Sequence, residues 1–234
     1  MSGNEETALR LPFENRIQAG RLLAQALAKY ANRPDVIVLA LPRGGVPVGF
    51  EVAQTIGASL DIMLVRKLGT PGHEELAMGA IASGGVSVLN SDLIARLHIG
   101  PELIEAATKI EQQELERREK AYRGDHPSPV VQNRHVILVD DGLATGASMR
   151  AAVAALKQRH PASIVVAIPV APPDTVEMLR EEADKVICLA MPEPFLAVGR
   201  WYEDFSQTSE DEVKSLLALA WTTESASSNF TENP

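Results

Sequence analysis

Two adjacent carboxylates, Asp140 and Asp141, stand directly behind an apolar run, Val136 to Val139, and just ahead of the small and hydroxylated residues Ala144, Thr145, Gly146, Ala147 and Ser148. Four apolar residues in succession predict a strand buried on both faces, as strands of parallel sheets are. The Ala-rich stretch from Ala147 predicts a helix, so the small residues occupy a strand-to-helix turn. Such a turn suits a phosphate, because backbone N–H groups can converge there and a helix N-terminus adds positive potential. Carboxylates beside a phosphate cradle make sense if they accept hydrogen bonds from sugar hydroxyls. The segment then describes a site for a ribose 5-phosphate. The same spacing would also serve an ordinary βα turn with an Asp near the helix start.

Three other segments carry chemistry-bearing residues. Leu41 to Gly49 follows an apolar run and contains Arg43, Gly44 and Gly45. The two glycines allow close backbone approach to a phosphate, and Arg43 supplies a fixed charge with bidentate geometry. A Pro-Gly turn with a solvated Arg is the plainer alternative. Arg66 to Gly79 combines Arg66, Lys67, His73, Glu74 and Glu75 with glycines and a proline, which predicts a loop able to hinge. Its carboxylates and histidine would equally be solvated surface groups. Phe195 to Phe205 gathers aromatics in a chain whose aromatic content is only 4%, so it predicts either a stacking surface or core packing.

The rest of the chain must hold these segments together. Apolar spacing predicts helices over 14–31, 46–56, 91–97 (with Ser91 as its cap), 101–122, 147–159, 173–182 and 210–221. Strands are predicted over 36–41, 60–65, 136–139, 163–169 and 185–190, with a short hairpin from 80–82 and 86–89. Strands alternating with helices predict an α/β fold, a parallel sheet with right-handed crossovers and helices on both faces. Residues 1–221 read as one domain. Its small hood comes from the N-terminal segment and about 192–221, and the polar stretch 222–234 reads as a disordered tail. Ligands in such sheets bind beyond the strands' C-terminal ends, so the loops after Leu41, Val65 and Asp140 would meet at one site. The mixed charge of helix 101–122 predicts a solvated or subunit-facing surface.

Composition narrows the function classes. The formal charge of −9 argues against non-specific nucleic-acid binding while leaving room for a local basic site. The single cysteine, Cys188, excludes an intrachain disulfide and a cysteine-based zinc site; it lies in a strand-like run and reads as a buried thiol. No set of side chains has metal-ligand spacing. A polar, acidic N-terminus and the lack of an apolar run near the ~20 residues that span a bilayer predict a cytoplasmic protein with no membrane contact.

On these residues the chain resembles the type I phosphoribosyltransferases. The apolar run, Asp140 and Asp141, and residues Ala144 to Ser148 are similar to their motif for 5-phosphoribosyl-1-pyrophosphate (PRPP). The resemblance implies that Asp140 and Asp141 hold the ribose hydroxyls and that Ala144, Thr145, Gly146, Ala147 and Ser148 hold the 5-phosphate. Arg43, Gly44 and Gly45 resemble the pyrophosphate loop, for which a cis non-proline peptide is implied. Residues 66–79 resemble a flexible loop that closes over PRPP, with Lys67 stabilising the departing pyrophosphate and Glu74 or Glu75 acting as acid or base. Phe195, Val198 and Trp201 resemble the hood that faces the acceptor.

The activity implied is transfer of the 5-phosphoribosyl group from PRPP to a nitrogen nucleophile, a nucleobase or similar heterocycle, with release of pyrophosphate. Mg²⁺ would be bound through PRPP rather than by a protein cage, and a homodimer is common in the family. A PRPP- or nucleotide-sensing protein that has lost transfer activity is the alternative. Two departures stand out. Ala144 occupies the place where hypoxanthine-type enzymes carry an Asp, and Gly142 the place where an aliphatic residue is common. The whole chain resembles a bacterial branch of the family, and that resemblance names no acceptor.

Overall fold

The computed structural model describes residues 9–70 and 73–231, with the side chains of 73–75 and 224–231 outside the description. In chain order the elements are α1 (Arg16–Ala26), β1 (Val36–Ala40), α2 (Gly45–Ile56), β2 (Ser59–Ile62), β3 (Val65–Thr70), β4 (His73–Ala82), β5 (Val86–Leu89), α3 (Ser91–Leu97) and α4 (Pro101–Arg123). They continue with β6 (His135–Val139), α5 (Ala147–Lys157), β7 (Ser163–Val170), α6 (Pro173–Glu182), β8 (Lys185–Ala190) and α7 (Glu210–Thr231). Five strands form a parallel sheet in the order β2-β1-β6-β7-β8. The other three form an antiparallel sheet, β3-β4-β5. The expected α/β architecture is therefore present.

The central strands are apolar throughout because both their faces are covered. Every residue of β1 is buried, and Val136 to Val139 of β6 are fully so. On one face, α2, α4 and α7 pack through Val48, Val52, Leu115, Val213 and Leu217. On the other lie α5 and α6, through Met149, Val153, Leu156, Val176 and Leu179, together with one side of the small sheet. Local signals set the helix ends. Asn15 caps α1 by accepting from the Gln18 N–H, and α2 stops at Gly57 in the left-handed region. Pro101 opens α4, where a missing N–H costs nothing.

Four expectations are corrected. Of the segment 66–79, residues 66–70 and 73–79 are not a loop: they belong to β3 and β4, which pair antiparallel from Val65↔Ala82 to Thr70↔His73. Charge and glycine disguise an alternation in which Leu68 and Met78 are fully buried while Lys67 is exposed. The strand expected over 60–65 ends at Ile62, and Val65 starts the second sheet. Asn90, not Ser91, caps α3, accepting from the Leu93 N–H at 3.0 Å. Helix α7 takes no part in the hood; it lies against α2, β2 and α4 through Val213, Leu217 and Ala220.

Two further helices depart from expectation, one in length and one in burial. Helix α7 continues from Trp221 to Thr231, since no Gly or Pro interrupts it and the Thr222 and Thr223 hydroxyls bond back to the carbonyls of Ala218 and Leu219; residues 232–234 lie outside the described chain. The surface expected along α4 holds for its outer face, but its C-terminal end is buried. There Arg123 donates to Asp61 at 2.9 Å and to the Ile62 carbonyl at 2.7 Å. No described helix is long and apolar enough to cross a membrane.

Candidate active site

In the order β2-β1-β6-β7-β8, the chain leaves β1 toward one edge of the sheet and β6 toward the other. The crevice between the C-terminal ends of β1 and β6 is therefore the switch point at which open α/β sheets bind ligands. The two motifs that follow these strands meet there. The Pro42–Arg43 peptide is cis. A Cβ on Gly44 would lie 1.9 Å from an Asp141 carboxylate oxygen, and one on Gly45 would lie 2.9 Å from the Asp140 Cα. The two glycines thus let the first loop rest directly against the acid pair.

The two carboxylates face different surroundings. Asp140 lines a cleft of about 240 Å³ together with Lys67, Ala144, Thr145, Gly146, Ala147 and Ser148. One of its carboxylate oxygens accepts the Asp141 N–H at 2.8 Å. Burial, and then the neighbouring Asp141 charge, push the Asp140 carboxyl well above the usual carboxylate range. Asp141 is 9% exposed and turned away from that cleft. Its carboxylate accepts from Arg16 Nε at 2.8 Å, and its main-chain carbonyl accepts from the Tyr202 hydroxyl at 2.5 Å. Burial raises its carboxyl too, and Arg16 opposes the rise.

The loop over 144–148 is built to leave donors free. Gly146 takes a left-handed conformation just before α5, where a Cβ would meet Thr175 at 2.8 Å. The N-cap Gly146 has no side chain to cap α5 and no acidic residue sits in its first turn, so beyond a long 3.5 Å contact from the Ala147 N–H to the Thr145 hydroxyl its leading N–H groups have no side-chain acceptor. Thr175 steadies the loop from beneath, donating to the Ala144 carbonyl at 2.8 Å.

Within the segments assigned to the hood, the N-terminal segment and about 192–221, residues 13 and 195–205 pack together. Phe13 bridges to Tyr202, and its amide donates to the Trp201 carbonyl at 2.8 Å. Phe195 and Trp201 are tilted rings with centroids 6.3 Å apart. Together with Val198 they are half-buried against Phe13, Val170 and Tyr202, so part of each ring serves packing. Val198 also accounts for Gly142: a Cβ there would lie 2.5 Å from Val198 Cγ1 and 3.0 Å from Val170 Cγ1. The space an aliphatic residue would fill at 142 is taken by the hood and β7.

Not every expected residue joins the cleft. Arg43 lines a separate pocket of about 260 Å³ with Pro42, Leu64, Arg118, Tyr122 and Glu210. Arg66 points away from Lys67 and pairs with Glu111 of α4 at 2.7 Å. The Glu75 side chain, with those of His73 and Glu74, lies outside the described residues. Among the described residues no three His, Cys, Asp or Glu side chains gather into a metal cage. The donor set in the cleft is a single carboxylate, Asp140, beside a phosphate-sized cradle. That set suits Mg²⁺ arriving on a polyphosphate, since this ion keeps mostly water and phosphate oxygens.

A family model described as "Phosphoribosyl transferase domain" matches residues 13–199. The chain belongs to this family. Two Mycobacterium tuberculosis proteins, from strains H37Rv and CDC 1551, carry the names "Putative phosphoribosyl transferase Rv0571c" and "Putative phosphoribosyl transferase MT0597". Each is 44% identical over 208 residues, which is 89% of this chain and 47% of the relative. The chain therefore spans about half the length of these curated relatives. Among solved structures, TT1426 from Thermus thermophilus is 42% identical, covers 88% of this chain and 97% of its own, and superposes with a TM-score of 0.79.

Within this family's frame, three residues matter that sequence reasoning missed: Arg16, Tyr202 and Thr175. Arg16 and Asp141 are 125 residues apart, and no local pattern joins them. Tyr202 was visible only as one aromatic among several. Thr175 follows Pro172 and Pro173 in the first turn of α6, a place where a hydroxyl looks like an ordinary cap.

Proposed function

We propose that the chain is a Mg²⁺-dependent phosphoribosyltransferase that moves the 5-phosphoribosyl group of PRPP to a nitrogen nucleophile of a nucleobase or similar heterocycle and releases pyrophosphate. One observation carries the reading: at the switch point of the sheet, Asp140, the small-residue loop 144–148 at the start of α5 and Lys67 share one cleft. Asp140 accepts from the ribose hydroxyls, with Asp141 behind it. The loop takes the 5-phosphate, and the glycine loop at 44–45 brings its backbone against the acid pair. Lys67 is placed to meet charge that develops on the departing pyrophosphate. Arg43 adds its charge from the neighbouring pocket. Mg²⁺, when bound, screens the pyrophosphate oxygens. Glu75 as acid or base, the acceptor face at Phe195, Val198 and Trp201, and a cytoplasmic homodimer belong to the same proposal. Fixing C1 of the ribose close to the nucleophile supplies much of the rate in such a scheme.

Titration calorimetry with PRPP, with and without Mg²⁺, tests the site. Binding that needs Mg²⁺ and disappears in an Asp140→Asn/Asp141→Asn variant supports it; no binding to the native chain refutes it. A panel of heterocycles assayed for pyrophosphate release then tests the transfer. PRPP binding with no release for any acceptor would replace the enzyme by a PRPP-sensing protein, a reading that the absence of a carboxylate at Ala144 favours.

A further inference from the structure

The acid pair poses an electrostatic problem. Two carboxylates on consecutive residues at a buried sheet edge repel each other, and such pairs tend to share a proton. A protonated Asp140 would carry an O–H donor in place of an acceptor site and would present no net charge to a cation. Among the described residues, Arg16 is the cation paired with an acid of this pair. Arg16, the first residue of α1, is 12% exposed and places Nε 2.8 Å from the Asp141 carboxylate, itself 13% exposed. A second guanidinium nitrogen donates to the Ser206 carbonyl at 2.7 Å, and the group lies over the Phe205 ring at 4.0 Å. Arg16 thus touches the acid pair and the hood at once, while Tyr202 binds the Asp141 backbone from the hood side.

We propose that Arg16 is a positioning residue for ribose phosphate binding: it pairs with Asp141, fastens it to the hood and leaves Asp140 as the carboxylate that faces the cleft. This role rests on the phosphoribosyl reading above. It divides the acid pair into an anchor and a ligand-facing group. The titratable groups around the guanidinium are Asp140 and Asp141 from the end of β6, and the Tyr202 phenol and Asp204 from the hood. Asp204 is exposed and already accepts from the Ser206 amide, so it does not substitute for Asp141. The Tyr202 phenol is pushed up by burial and stays neutral. Arg16 is therefore the cation in contact with the pair, and its charge opposes the rise that burial imposes on both carboxyls.

The test is PRPP titration in the presence of Mg²⁺, on the full chain and on R16Q and R16K, from about pH 5 to about pH 8.5. In R16Q the affinity falls about tenfold or more near neutrality, and the acid limb of binding moves up by about one pH unit or more, as expected when an opposite charge in contact is removed. In R16K the acid limb stays at its native position. The affinity still drops a few-fold, because an ammonium cannot contact Asp141, the Ser206 carbonyl and the Phe205 face together. A packing role alone would lower affinity without moving the acid limb.

R16Q with native affinity and a native acid limb overturns the proposal. Should R16Q fail to fold, R16K decides: an upward-moved acid limb refutes the charge role, and undiminished affinity refutes the anchoring role. If the native chain binds no PRPP, the phosphoribosyl reading falls and this role falls with it. If the native chain binds and R16Q is unchanged, only the role of Arg16 falls.

Discussion

Replacing Arg123 with alanine should be among the most damaging single changes in this chain, although it lies outside the cleft. The Arg123 and Asp61 side chains are each only 4% exposed. Arg123 Nε meets the Asp61 carboxylate at 2.9 Å, a second nitrogen meets the Ile62 carbonyl at 2.7 Å, and a third meets Glu119 at 2.9 Å. Alanine removes all three contacts and leaves the Asp61 carboxylate buried with only the Ile62 amide as a donor. Breaking a buried pair in this one-sided way costs about 3–5 kcal/mol, far beyond the ~1 kcal/mol ceiling of exposed pairs. For a chain of this length each kcal/mol is worth roughly 2–4 °C, so the melting temperature should fall by about 6–20 °C.

The pH dependence identifies the cause. Burial already pushes the Asp61 carboxyl up, and Arg123 pulls it back. Without Arg123 the folded-state value rises further above the unfolded one. Stability from such a group is fully present below the unfolded value and is lost as pH climbs through the folded value. The deficit of the variant should therefore be smaller near pH 5 than near pH 8. Urea denaturation followed by tryptophan fluorescence measures both quantities. Trp221 is a suitable reporter, since its indole N–H donates to the Leu60 carbonyl beside Asp61. A loss below about 1 kcal/mol, or a deficit that ignores pH, would show that the pair behaves as a surface contact and that α4 is not pinned by it.

Four other changes have defined outcomes. Asp140→Asn should abolish PRPP binding yet raise the melting temperature at neutral pH; the carboxyl is raised by burial and by Asp141, so its charge costs stability above its folded-state value, and the gain should shrink on acidification. Thr175→Val removes the hydroxyl that holds the Ala144 carbonyl and should weaken PRPP binding about 2- to 10-fold, the worth of one hydrogen bond, as read by calorimetry; unchanged affinity would mean that the loop needs no support from α6. Gly142→Ala drives a Cβ into Val198 and should cost about 1–3 kcal/mol in urea denaturation, with a good part recovered by adding Val198→Ala. Cys188, whose thiol is pushed up to about 11 by burial, should react slowly with iodoacetamide in the folded chain and rapidly in urea.

The parts of the fold that could be read from the sequence were those governed by local pattern. The unbroken apolar runs of β1 and β6, the proline at the start of α4 and the glycine at the end of α2 each report their own structure through sterics or two-sided burial. The segments 66–70 and 73–79 misled because glycines and charges interrupt a strand pair whose buried contacts, Leu68 and Met78, come from the packing of β3 and β4 between α4 and α5. The end of α4 misled for a similar reason: a charged residue reads as solvated unless its partner is known, and the partner of Arg123 lies 62 residues away on β2. In the cleft, the neighbourhood of Asp140 and the small-residue loop 144–148 was legible because both lie within one segment. Arg16 and Thr175 were not, because each acts on that segment from a distant one. The separation of Arg43 from Lys67 was hidden too, since it depends on which pocket a long side chain enters after the loop has turned.

The acid pair is also where folding and binding oppose each other. A sheet of this kind would be more stable with uncharged residues at the C-terminal end of β6, because burial raises both carboxyls there. The surroundings offset the cost unequally. Asp141 has an arginine and sits against the hood, whereas Asp140 has one amide and the open cleft. A residue whose only role was packing would not be left so poorly paired. A residue awaiting hydroxyl donors from a ligand would be, because those donors relieve the cost only on binding. The unequal treatment of two identical neighbouring side chains therefore argues for a polar, hydroxyl-bearing ligand more strongly than the presence of two carboxylates does. It also sets the order of two effects: substitutions at Asp140 should separate binding from stability, while substitutions at Asp141, which the hood and Arg16 both hold, should lose the two together.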